Sequence, residues 1–67
     1  MKGVDYYYKI FDSIIGETNP DLVKDFVEFR LNNNVRHIWL WLETKKNSGE
    51  ISSKIAPYLN DFYSEVW

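Results

Sequence analysis

Apolar residues in this chain recur mostly at three- and four-residue intervals, the period of an amphipathic helix. Over residues 4–15, Val4, Tyr7, Tyr8, Phe11, Ile14 and Ile15 share one side, with Asp5, Lys9, Asp12 and Ser13 opposite. The spacing predicts a first helix there, stopped by Gly16 in a left-handed conformation. A second helix is predicted over 20–32. Thr18 or Asn19 can cap it, and Pro20 takes its first position, where a missing N–H costs nothing. Asp21 then stands favourably against the helix dipole. Leu22, Val23, Phe26, Val27 and Phe29 make a broad apolar face opposite Lys24, Asp25 and Glu28. Asn32, Asn33 and Asn34 have poor helix propensity and tolerate left-handed backbone, so they mark a break.

The stretch VRHIWLWLET, residues 35–44, can be read two ways. As a strand it would be apolar on both faces and would need neighbours. The only other candidate strand, 4–11, fits a helix better, and an isolated strand is not viable. As a helix, Val35, Ile38, Trp39 and Leu42 form one face at i, i+3, i+4 and i+7. The helix is the better account. It turns Trp39 inward and leaves Leu40 near the back and Trp41 on the flank, two apolar side chains beyond what a core requires. Lys45 and Lys46 suit the last turn of such a helix, and Asn47, Ser48 and Gly49 close it. Beyond them Ile51, Ile55, Tyr58, Leu59, Phe62 and Val66 fall on one narrow helical face. Pro57 would break or kink an interior helix. A short turn over 52–56 is therefore expected, then a final helix that is short or kinked at Pro57. The fold class is all-α: a four-helix bundle, sterile-alpha-motif-like or similar, in a single domain over 1–67.

Composition narrows the function more than it names it. A chain of 67 residues buries only about 60% of its unfolded surface and has a thin stability margin. Without cysteine, disulfides and thiolate metal sites are excluded, which leaves aromatic mass and self-association as reinforcement. Three Trp, five Tyr and four Phe can fill a small core and still supply an interface. The net charge of −2 arises in the half before Asn34, and neither half carries the positive footprint of a nucleic-acid binder. The longest apolar run, 38–42, is far short of the roughly 18 residues of a membrane span. Met1 reads as a natural start and Lys2 is followed by Asp5 and tyrosines, not by an apolar signal core, so a cytoplasmic location is expected.

No motif for catalysis, metal binding or phosphate cradling stands out, and neither a catalytic residue, a metal nor a cofactor is expected. His37, the one histidine, points away from the apolar face with no carboxylate on its side of the helix to orient it. Asp21, Asp25 and Glu28 recur at i, i+4 and i+7, the spacing of di-metal carboxylate faces. They lie opposite the apolar face and lack the Glu-x-x-His pairs of such sites. A solvated surface is the simpler account, and Asp5 and Asp12 read likewise. The stretch TKKNSGEISSKIAPYL has the cadence of a helix-turn-helix, with Arg36, Lys45, Lys46 and Lys54 as its candidate phosphate contacts. Its would-be reading helix, 57–67, carries Asp61 and Glu65 and no Lys or Arg, which disfavours nucleic acid. Tyr6, Tyr7 and Tyr8 could stack bases, but no positive groove accompanies them.

Tyr6, Tyr7 and Tyr8, with Val23, Asp25 and Phe26, then Ile38, Leu42 and Glu43, and finally Ile55, Leu59, Phe62, Ser64, Glu65 and Val66, form a pattern along most of the chain. In it the chain resembles the small YozE-type sterile-alpha-motif-like family of low-GC Gram-positive bacteria. That resemblance implies a four-helix fold and no established activity. The residues themselves favour a non-enzymatic protein-binding module, such as a small bacterial or phage regulator or inhibitor that docks on a larger protein. Leu40, Trp41, Tyr63 and Trp67 are its expected contacts, because apolar patches mark docking surfaces and Trp and Tyr dominate hot spots. The alternatives are a DNA-binding regulator and a structural homodimer in which the same aromatics meet their symmetry mates.

Overall fold

The helix breaks fall at residues able to close them. In the computed structural model, which describes residues 3–67, the elements are α1 (Val4–Thr18), α2 (Pro20–Asn32), α3 (Val35–Asn47) and α4 (Ala56–Val66). A single 3-10 turn, Ser53–Ile55, leads into α4, and no strand occurs among the described residues. Met1 and Lys2, on which the expected leaderless start rests, lie outside them.

The asparagine triplet does more than interrupt. The side-chain amides of Asn32 and Asn33 donate to the Glu28 and Phe29 carbonyls, at 2.9 and 2.8 Å, and the second of these satisfies one of the four orphan acceptors at the end of α2. Asn34 Oδ1 accepts from the His37 backbone N–H at 3.0 Å and caps α3. At the far end of α3, Gly49 N–H bonds to the Lys46 carbonyl and Glu50 N–H to that of Lys45, with Gly49 at φ 81°. That is the Schellman closure, and it needs a left-handed residue where this glycine stands.

One expectation is corrected. Gly16 does not stop α1; the helix runs on through it to Thr18, and Gly16 is not among the residues with positive φ. The stop is set by Pro20, whose ring disfavours helical backbone at the preceding Asn19, found at φ −149°. The last helix takes the short form of the expected pair and starts beside Pro57. That proline occupies the first turn of α4, where its missing N–H would have had no intrahelical partner. The turn expected over 52–56 is the 3-10 turn, capped by Ser52 Oγ, which accepts from Lys54 N–H at 3.2 Å.

The bundle is two helical hairpins, since α1 lies closest along α2 and α3 along α4. Phe11, Phe26 and Phe62, one each from α1, α2 and α4, are fully enclosed at its centre. Phe11 meets Phe26 and Phe62 edge-on, with ring centroids 6.3 and 5.4 Å apart. Ile15, Ile38, Leu42, Ile51, Ile55 and Leu59 surround them, and no polar or charged residue is buried among the described residues. Across the hairpins, the Tyr7 hydroxyl donates to Glu65 Oε1 at 3.2 Å. Arg30 closes the α1–α2 edge: it pairs with Asp12 at 2.8 Å and lays its guanidinium about 5 Å from the rings of Tyr8 and Phe26.

The two glycines should respond in opposite directions to the same change. A Cβ at Gly16 would make an ordinary 3.7 Å contact with Val23 Cγ2 inside a helix. Gly16→Ala should therefore stabilise by about 0.5–1 kcal/mol. At Gly49 a Cβ meets nothing, but the positive φ remains. Gly49→Ala should cost about 1–2 kcal/mol, and urea unfolding of both variants reads the difference in sign. Alkaline pH supplies a second test. Burial, then the hydrogen bond to Glu65 and the nearby carboxylates, hold the Tyr7 phenol above its usual pKa of 10.0. The neutral phenol is thus favoured by folding, and its contribution is whole below pH 10 and lost as pH rises through the folded value. Tyr8 is also raised, by burial, although Arg30 pulls it back. As pH rises above 10 the urea midpoint should fall, and that of Tyr7→Phe should fall less steeply.

Candidate docking surface

Helix α3 carries the candidate residues, and its geometry sorts them. Each residue turns the helix by about 100°. Ile38 and Leu42 point into the core and are buried, while Arg36, His37, Leu40 and Thr44 form the exposed outer ridge. Trp39 and Trp41 fall on opposite flanks of that ridge. Neither is sealed in the core and neither stands free, so the expected division into an inward Trp39 and an outward Trp41 is corrected: both are half-buried.

Trp41 faces α2. Its indole stacks on Phe26 and Phe29, at centroid distances of 5.6 and 5.5 Å with planes 25° apart, and the Lys45 ammonium lies 5.5 Å from its centroid. Shallow depressions of about 430 and 390 Å³ flank this stack and share Phe29, Trp41 and Lys45. The first is bordered by Asp25 and Glu28, the second by His37, Leu40 and Thr44. Together they form one groove between α2 and α3.

Trp39 faces α4. It packs against Tyr63 and Trp67, with centroids 5.0 and 5.3 Å away, and those two stack on each other at 4.6 Å. The Trp39 indole N–H is buried there without an acceptor. Arg36 covers the outside, its guanidinium 5.3 Å from the Trp67 centroid. Of the four expected contacts, Leu40, Trp67 and Tyr63 are 55%, 50% and 41% exposed. Leu40 and Trp41 belong to the groove, Tyr63 and Trp67 to the aromatic cluster. Arg36 links the two, because it stands one helical turn from Leu40 and lies on Trp67.

Two features escaped the sequence reading. The period of α3 places Trp39 in the core, whereas it lies on the flank against Tyr63 and Trp67, an i, i+4 pair on α4. Leu31, assigned to no face, is 77% exposed beside Arg30, away from the groove.

The four candidate phosphate contacts are otherwise engaged. Lys46 pairs with Glu43 at 2.9 Å, Lys45 with Glu50 at 3.4 Å and Lys54 with Glu17 at 3.6 Å, while Arg36 lies on Trp67. The hydroxyl of Ser48, 2.7 Å from Glu50 Oε2, acts with Lys45 to hold the Glu50 carboxyl below its ordinary pKa. On α2, by contrast, Asp21, Asp25 and Glu28 are all exposed and make no ion pair among the described residues. Nor does any group of three His, Cys, Asp or Glu among the described residues sit where it could hold a metal ion. No helix among the described residues is long and apolar enough to cross a membrane. No known protein family, curated protein or solved structure matches the chain, so the resemblance to the YozE-type family stands on its quoted residues alone.

Leu40 and Trp41 are adjacent in sequence and should differ sharply in what they do for stability. Leu40→Ala removes an exposed side chain and should shift unfolding by no more than about 0.5 kcal/mol. Trp41→Ala empties the stack between the hairpins and should cost about 2 kcal/mol, less than a fully buried ring. Denaturant titration of the two variants checks the contrast.

Proposed function

We propose that the chain is a non-enzymatic protein-binding module, a small regulator or inhibitor of a bacterial or phage cytoplasm that docks on a larger protein. The observation that carries this reading is the exposed strip along α3 and the end of α4. Leu40 stands on the ridge, Arg36 joins it to Trp67, and Tyr63 stacks behind. Exposed Trp, Tyr and Arg side chains in contact with one another have the composition of interface hot spots. Aromatic rings already held by stacking lose little further conformational freedom on binding. Against this, DNA binding by Arg36, Lys45, Lys46 and Lys54 would require cations that are already committed to carboxylates or to a ring.

Site-specific photo-crosslinking tests the reading. A benzophenone amino acid at position 40 or 67 should give a discrete adduct with one larger protein in cells. The same residue at position 13, exposed on α1, should not. An adduct of twice the chain's own mass would assign the strip to a homodimer instead. Equal labelling from all three positions, or none from any, would retire the strip as a docking surface.

A further inference from the structure

We propose that the α2–α3 groove receives a cationic amphipathic helix of the partner, with apolar anchors beside Leu40 and on the Phe29–Trp41 stack and Lys or Arg side chains against Asp25 and Glu28. The proposal rests on the protein-binding reading and names its partner's chemistry. The groove's two depressions share the Phe29–Trp41 stack and Lys45; the one beside Leu40 is mainly apolar, and the one beside Asp25 and Glu28 is mainly polar. Its α2 rim carries three exposed carboxylates on consecutive turns, whereas Asp5 and Asp61, also without ion pairs, stand singly on other helices. Asp21, Asp25 and Glu28 are exposed along one stripe without ion pairs, whereas each carboxylate that faces Lys45, Lys46, Lys54 or Arg30 is neutralised at 2.8–3.6 Å. The stripe spans seven residues, about 10 Å or two helical turns. A partner helix lying alongside would place cations at i, i+3 or i+4, and i+7 opposite it. The lone cation inside the groove, Lys45, is held by Glu50 and by the Trp41 ring.

The opposite rim explains the choice of a helix with one charged edge. It is formed by His37, Leu40 and Thr44, which offer an apolar contact, an imidazole and a hydroxyl, and no second negative stripe. Helix-in-groove recognition reads anchors at this spacing, and complementary rim charge sets the orientation of docking. A second copy of the chain cannot supply such a helix. Its α4 has no Lys or Arg, its α2 has an acidic surplus, and two of the three α3 cations are in ion pairs.

Two synthetic peptides of about 18 residues, both with Leu on one helical face, test this, one with Lys and one with Glu on the other face. Binding is read by Trp fluorescence and isothermal titration, with circular dichroism confirming that each variant is folded. The Lys peptide should bind one-to-one and the Glu peptide should not. Asp25→Asn/Glu28→Gln should weaken the Lys peptide about tenfold or more, and so should Leu40→Asp. Asp5→Asn/Asp61→Asn removes the same charge elsewhere and should leave binding within about twofold. Equal loss in both double variants would mean attraction to overall negative charge, and would overturn the groove as the site. So would absence of binding, or self-association that buries Leu40. If crosslinking from position 40 still captures a discrete partner when the peptide test fails, the docking role survives and the cationic helix does not.

Discussion

Three enclosed phenylalanines hold this molecule together. Phe11 of α1 stands edge-on to Phe26 of α2 and to Phe62 of α4, so one ring fixes the approach of both other helices. Ring pairs of this kind add about 0.5–1.5 kcal/mol each beyond the area they bury. That margin counts in a chain with no disulfide and a small core. Helix α3 is attached differently. It sends only aliphatic side chains, Ile38 and Leu42, into the centre, and its aromatic contacts lie on its two flanks. A helix gripped by its sides keeps its outer ridge in solvent. The exposure of Leu40 follows from how α3 is docked.

Charge is distributed to the same effect. Four cations of α2, α3 and the following turn are drawn toward nearby carboxylates: Arg30 to Asp12, Lys46 to Glu43, Lys45 to Glu50, Lys54 to Glu17. Exposed pairs like these contribute little to stability. Their larger consequence is that they remove positive charge from the surface and leave the three α2 carboxylates, beside the single Lys24, as a stripe of net negative charge. The nearly balanced composition therefore conceals a local polarity that net charge does not report.

The helices were legible because period and punctuation agreed. Pro20, the asparagine triplet and Gly49 each have a backbone preference that fits one kind of boundary, and each stands at one. Gly16 misled because a glycine near a helix end suits either a left-handed cap or an interior turn. What decided the matter was Pro20, four residues on, acting through Asn19. Leu40 was legible as a surface residue since it lies opposite two core positions on the same helix. The flanking tryptophans were not. Whether a flank is covered depends on which neighbour leans against it, and that is set by interhelical packing, not by the period of α3. Phe29 covers Trp41 and Trp67 covers Trp39, and neither partnership is written in the local sequence. The split of the four expected contacts into a groove and a cluster has the same origin.

The hydrogen bond from Tyr7 to Glu65 joins residues 58 apart in a chain of 67, and sets the opening turns of α1 beside the closing turn of α4. In topological terms the bundle is nearly a closed loop, with its seam on the side where those two helices meet. Most neighbouring elements are consecutive along the chain, which favours rapid folding by zippering outward from each hairpin. The seam is the contact across the longest loop, so it carries the largest closure entropy in the fold. A circularised version, opened at the asparagine break between α2 and α3, would convert that closure into a local one.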